Sequence, residues 1–290
     1  MGVFVVGMHR SGTSTLVRMF EAAGFHAGEE ADFHPPTEHD PEGHREHIAL
    51  WGTDEAVLAY IGRSWDDPVG IDWDALTDTQ RADVLGAVVA AAPAFTHTEP
   101  WVAKDPRLCL TLPLWAHCVP GASAVFVHRN PLEVAESLRA RDGWPLAAGI
   151  ALWEAYVRAA LRGLAVLPHA AVDFDALLEQ PDAEVQSLLE RLHAAGGVAA
   201  PSGGSAPPPI RPDRVRHRRT TDETAAHLNP AQRDLLDAVH LRVADHPDAD
   251  AACRAAAATP VSESAADLLA VLAKQRRDAI ALHHRVGDVD

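Results

Sequence analysis

The chain has 290 residues, of which 47% are hydrophobic, enough for one sizeable core or a core with a small appendage. Its net charge of −16 argues against a broad nucleic-acid or anionic-membrane surface, so an anion site here has to be a local concentration of cations. The chain's two lysines are Lys104 and Lys274, and its three cysteines lack a C-x-x-C, which suggests neither a disulfide framework nor a zinc knuckle.

The run VFVVG, Val3 to Gly7, is short, apolar and rich in β-branched residues, as in a strand buried on both faces of a parallel sheet. Because that strand starts at once and no apolar run reaches membrane-spanning length, a soluble cytoplasmic protein is the expectation. Leu16, Met19, Phe20 and Ala23 recur at helical spacing after Gly12, and Gly24 stops the pattern. Gly7 and Gly12 have the spacing of G-x-x-x-x-G-K-[ST], but Thr13 stands at the lysine position and the loop's cation is Arg10. Residues 25–46, with Pro35, Pro36 and Pro41, read as an irregular crossing segment of the kind that lies over a site. Helical stretches follow at about 47–62 and 78–91.

WVAKD, Trp101 to Asp105, is a short strand ending in charge, and SAVFVHR, Ser123 to Arg129, is the plainest strand in the chain. Pro131 suits the first turn of the next helix. Another helix is expected at about 146–166, then a weak strand and turn at AAVDFDALL. This alternation predicts an α/β fold, a three-layer open parallel sheet with a strand-loop-helix of the P-loop type and ligands at the carboxyl ends of the strands. Arg10, Lys104, Arg107 and Arg129 all follow strands directly. Residues 196–210 are a glycine, proline and serine segment, and five arginines fall between Arg211 and Arg219. Two amphipathic helices, about 230–244 and 263–284, close the chain. The expected organisation is a core over 1–195, a flexible and basic segment over 196–228, and a helical extension over 229–290.

A glycine-rich turn feeding a helix N-terminus cradles an anion with its backbone N–H groups. Arg10, Ser11, Thr13 and Ser14 can add side-chain donors. Thr13 cannot bridge β- and γ-phosphates as a loop lysine does, and no strand end offers a persuasive magnesium carboxylate, since the one candidate, Asp105, lies between Lys104 and Pro106. Arg129 with Ser137, two turns into the next helix, can grip a second phosphate. Blander readings fit each piece: a tight turn for Gly7 and Gly12, a surface salt bridge among Lys104, Arg107 and Asp105, ordinary helix polarity for Ser137. Two separated anion grips without the triphosphate lysine point to a nucleotide phosphorylated at two places.

GMHRSGTST, WVAKDPRLCLTLPLW and VFVHRNPLEVAESL together resemble the sulfotransferases that use 3'-phosphoadenosine 5'-phosphosulfate (PAPS), nearest the bacterial branch related to protein-tyrosine and carbohydrate sulfotransferases. The likeness covers roughly residues 3–180, and IRPDRVRHRR resembles the basic segment that often ends the family's core. It implies that Arg10, Ser11, Gly12, Thr13 and Ser14 hold the 5'-phosphosulfate, Arg129 and Ser137 the 3'-phosphate, and that Lys104 lies near the transferring sulfuryl group. It also implies that an arginine of the basic segment, taken as Arg216, closes over the nucleotide, and that no metal is needed. The histidine that the small-molecule branch carries just after its middle-strand lysine is absent here, since Asp105 follows Lys104.

The resemblance implies two candidates for the base: Glu30, in a GEE stretch similar to the surroundings of the glutamate used by the tyrosine-sulfating branch, and Glu46, narrowly preferred, which matches the glutamate of the family's aromatic-tryptophan-glutamate pattern. His44 and Arg45 replace that pattern's two aromatics. His39, His44 and His47 read poorly as a metal site because their spacing is irregular and no acidic partner set accompanies them. The expected activity is sulfuryl transfer from PAPS, leaving adenosine 3',5'-bisphosphate, to a hydroxyl or less readily an amine of a small-molecule or glycan acceptor. Trp51, Tyr60, Trp65, Trp73 and Trp144 either line its pocket or belong to the core. The alternatives are a nucleotide-dependent kinase with a degenerate loop and a non-catalytic binder of the bisphosphonucleotide.

Overall fold

The computed structural model describes residues 1–36, 43–199 and 219–287. The fold is α/β. β1 (Gly2–Val6) leads through the glycine loop into α1 (Thr13–Ala22), where Gly24 N donates to Glu21 O at the helix end. A 3-10 turn at Glu30–Asp32 precedes α2 (Ile48–Tyr60), α3 (Asp78–Ala91) and α4 (Pro93–Thr96). Thr77 and Gln80 form a reciprocal capping box that starts α3. β2 (Trp101–Lys104) and α5 (Leu108–Cys118) follow, then β3 (Ser123–His128) and α6 (Pro131–Asp142). Asn130 caps α6 by accepting from Leu132 N and Glu133 N, and Pro131 occupies its first turn. Next come α7 (Leu146–Leu164), β4 (His169–Asp173), α8 (Phe174–Glu179), α9 (Pro181–Ala194), α10 (Thr221–His227), α11 (Pro230–Val243), α12 (Ala249–Ala258) and α13 (Glu263–Gly287).

The sheet is parallel throughout, in the order β2-β1-β3-β4, with Val5 of β1 opposite both Lys104 of β2 and Val125 of β3. Period-two alternation divides the core. Val3 and Val5 pack with Leu16, Phe20, Leu177 and Leu188 of α1, α8 and α9. Phe4 and Val6 pack on the other face with Trp115 of α5 and Trp153 and Tyr156 of α7. Helices therefore cover both faces, and the near-continuous apolar strands follow from burial on both sides.

The C-terminal helices join the second of these clusters: Leu235, Val239, Cys253, Ala257 and Leu269 share it with Trp153. A polar hub reinforces the contact. Arg158 of α7 donates from Nε to Glu154 Oε1 at 3.1 Å, from Nη1 to Ala256 O at 2.7 Å and from Nη2 to Ala231 O at 3.1 Å. Glu154 in turn accepts from Gln232 Nε2, Ser262 N and Ser262 Oγ, at 3.0, 2.8 and 2.7 Å. Both charges are buried, and four C-terminal residues supply the bonds that make this tolerable.

Candidate functional site

β1 lies between β2 and β3, so the strand order reverses at its carboxyl end, where an open α/β sheet leaves a crevice for ligands. Residues 7–12 turn there. A Cβ on Gly7 would stand 2.7 Å from Thr13 Cγ2 and 2.9 Å from Val127 O, and one on Gly12 would overlap the Phe174 ring. Gly12 also sits at φ 87°, and Arg10 at φ 69°. The loop thus passes between β3 and α8 at a separation only glycine permits. No side chain caps α1, so its first N–H groups and its dipole present a positive end at the crevice.

Two sets of side chains meet this loop. On the β2 side Lys104, 2% exposed, donates to Glu46 Oε1 at 2.7 Å and to His44 O at 2.8 Å. Ser14 Oγ donates to the same carbonyl at 2.8 Å, and Arg18 Nη2 to Gly43 O at 2.6 Å. Residues 43–47 are thereby strapped onto the loop and the end of β2. On the β3 side Arg10 Nε donates to Ser137 Oγ at 2.8 Å. Arg129 donates from Nη1 to Arg10 O at 2.9 Å and from Nε to Glu133 Oε2 at 3.0 Å, with its guanidinium 5.0 Å from the Phe174 ring centre.

Burial pushes the Glu46 carboxyl upward, but the charge and hydrogen bond of Lys104, with smaller help from His44 and Arg107, bring it below the ordinary carboxylate range. Asp105 behaves oppositely: burial lifts it to about 6 despite the neighbouring Arg107. Arg107 N and Nη1 donate to Asp105 Oδ1 at 2.7 and 3.2 Å, and Nε donates to Glu55. Burial also raises Asp54 well above the usual range, and Trp115 Nε1 donates to its Oδ1 at 2.8 Å. Burial drives His9 well below its ordinary value, with Arg107, Arg141, Lys104 and Arg10 adding to the effect.

The structure brings together Arg10, Ser14, Glu46, Lys104, Arg129 and Ser137 around the loop. It sets Glu30 apart: that side chain is 79% exposed and paired at 3.1 Å with Arg45 of the strap. Arg216 and His39 lie outside the described residues. Of the five aromatic candidates, Trp65 and Trp144 stack 5.6 Å apart with His9 of the loop against Trp65, and Trp51 lies 5.8 Å from the Arg107 guanidinium. Tyr60 is exposed and bound to Asp83, and Trp73 Nε1 donates to Leu110 O beside the core. Among the described residues no group of three or more His, Cys, Asp or Glu could hold a metal ion, and no helix is long and apolar enough to cross a membrane.

Sequence reasoning overlooked an acidic layer behind the β3 grip. Glu133 accepts from Arg219 N at 2.9 Å, and Glu136 from Arg219 Nη2 and Nε at 2.6 and 3.0 Å. Glu133 shares a face of α6 with Ser137, four residues on, and lies four residues after Arg129, which is the signal that could have revealed it. A pocket of about 170 Å³ opens beside them, lined by residues including His128, Arg129, Asp173, Arg219, Thr224 and His240.

Residues 2–195 match a family model described as the sulfotransferase family. Among solved structures the chain is similar to the sulfotransferase domain of the olefin synthase of Synechococcus PCC 7002, with 17% identity, 94% of each chain covered and a TM-score of 0.39. It is also similar to the sulfotransferase domain from the curacin biosynthetic pathway, with 17% identity, 93% of this chain and 96% of that chain covered and a TM-score of 0.40. No curated protein matches the chain.

Proposed function

The chain belongs to the sulfotransferase family, and from that premise we propose that it moves the sulfuryl group of PAPS in line to a hydroxyl, less readily an amine, of a small-molecule or glycan acceptor. One observation carries this reading. Cations at the ends of three adjacent strands, Lys104, Arg10 and Arg129, surround a glycine-forced turn whose lysine position holds Thr13. The residues fit such a donor, because the uncapped start of α1 suits one phosphate, and Arg129 on the Arg10 carbonyl with Ser137 on the Arg10 guanidinium suits another. When bound, the donor supplies the sulfuryl group and a leaving adenosine 3',5'-bisphosphate.

The N–H groups and hydroxyls of Ser11, Gly12, Thr13 and Ser14 hold the phosphosulfate end. Arg10 and Lys104 offset the charge that develops on the bridging oxygen. Glu46, kept ionised by Lys104, takes the acceptor's proton once Lys104 turns to that oxygen. Of the two candidate carboxylates, the bond of Glu46 to Lys104 supports it in this role over Glu30, which pairs with Arg45. The same reading places the chain nearest the bacterial branch related to protein-tyrosine and carbohydrate sulfotransferases, acting in the cytoplasm without a metal.

The test is transfer of labelled sulfate from PAPS into a metabolite extract, with calorimetric binding of adenosine 3',5'-bisphosphate and ATP run in parallel. Labelled product and chelator-resistant preference for the bisphosphate are expected. Magnesium-dependent ATP binding with no labelled product would instead support a kinase and overturn the proposal. Bisphosphate binding with no acceptor labelled would leave a binding protein.

A further inference from the structure

Resting on the donor reading above, we propose that Glu133 is a positioning residue: it aims the Arg129 guanidinium at the 3'-phosphate and so sets how strongly the site prefers a 3',5'-bisphosphate to a 5'-monophosphate. Glu133 is 1% exposed, yet both its oxygens are engaged, Oε2 by Arg129 Nε and Oε1 by Arg219 N. Arg129 is held from three directions, by Glu133 of α6, by the Arg10 carbonyl of the glycine loop and by the Phe174 ring of α8. A guanidinium fixed at its Nε, at one Nη and on its face has one orientation, and it lines the adjoining pocket.

The same helix ties down the segment that follows. Glu136 binds the Arg219 side chain, and Asn130 Nδ2 donates to the buried Thr224 Oγ1 at 2.7 Å. Charge explains why orientation matters here. Arg129 and Arg219 carry two positive charges, and Glu133 and Glu136 carry two negative ones, so this quartet supplies no surplus of positive charge. With Arg10 on Ser137 adding one positive charge and Glu223 on Arg219 one negative, the neighbouring charges also balance, so a preference for a second phosphate here rests on directed donors.

That distinction gives the test opposite signs. Affinities for adenosine 3',5'-bisphosphate and adenosine 5'-phosphate are measured by calorimetry on the full chain, for the wild type and for Glu133→Gln, with thermal melts to confirm folding. Positioning predicts that the bisphosphate preference falls about tenfold in Glu133→Gln while 5'-phosphate affinity changes less than about twofold. A tighter bisphosphate complex would mean that Glu133 merely neutralises Arg129, and equal weakening of both nucleotides would mean a general structural role; either overturns the proposal. Should Glu133→Gln fail to fold, Glu133→Asp takes its place, with the same loss of preference expected because the shorter side chain cannot reach both partners. In an Arg129→Gln background the Glu133 substitution should have no further effect on the preference, because the two act as one unit. A wild type without any bisphosphate preference overturns the donor reading itself, and with it this proposal. In failure of the Glu133 role alone, wild type and variant keep the same preference.

Discussion

Glu154 and Arg158 form a buried ion pair in the middle of α7; the partly buried Glu46 and the buried Lys104 form a second pair at the end of β2. In the first, the pair's remaining bonds go to Gln232, the carbonyls of Ala231 and Ala256, and Ser262, drawn from α11, α12 and the residue that precedes α13. In the second, Lys104 is shared between Glu46 and the carbonyl of His44, on a strap that also engages the glycine loop. The same chemistry thus serves two ends. A pair whose partners all come from packed helices is a fixed joint. A pair at a strand end, beside an uncapped helix, can exchange one partner for a ligand.

Breaking the joint should produce the largest effect. Glu154→Ala strands Arg158 in an apolar interior and should lower stability by about 3–5 kcal/mol, read by urea unfolding. Sulfate transfer per folded molecule should stay within about twofold of wild type. A loss below about 1 kcal/mol would mean that the hub is not the joint described. Lys104→Met should show the reverse pattern. The turnover number falls by about 10²–10³-fold in the transfer assay while the unfolding midpoint barely moves, since Glu46 at 15% exposure can hydrate when released.

Acid probes a third buried group. Burial, with His240 nearby, pushes His128 down to about 3. The unfolded chain takes up that proton near the ordinary value and the folded one does not, so its stability contribution is intact above about pH 6.5 and lost as pH falls toward 3, about 2 kcal/mol between pH 7 and 5. Asp105, raised to about 6, has the opposite slope between about pH 4 and 6, where stability falls as pH rises. Replacing His128 by glutamine should therefore flatten or invert the acid limb of a melting-temperature profile. The smallest effect is expected outside both pairs. Glu30→Gln should leave transfer within about twofold of wild type, whereas Glu46→Gln should cost about 10²-fold.

Much of this was written locally in the chain. VFVVG and SAVFVHR are apolar on both faces because both faces of the sheet are covered, and glycines and Pro131 mark where their helices begin. α5 escaped because LCLTLPLWAHC is buried almost all round and contains Pro113, leaving no polar stripe to set a period. α12 escaped because ADAACRAAAA is mostly alanine, which looks the same as compositional bias. In the site, Arg10, Lys104, Arg129 and Ser137 were legible because strand ends and helix spacing place them. The His44 carbonyl, which Ser14 and Lys104 share, was not, since main-chain acceptors leave no residue-type signature. Glu133 was hidden for another reason: an acid beside the cations of a candidate anion site looks adverse until its bond to Arg129 is seen.

The joint on α7 also bears on what can be made and handled as a working protein. The matched family region ends at residue 195, but Arg158 and Glu154 look for their partners at Ala231, Gln232, Ala256 and Ser262. A shortened gene encoding only the matched region would produce a chain with a bare apolar helix face and two charges deprived of most of their partners. The unit of homology and the unit of manufacture therefore differ, and expression trials should retain the helices through α13.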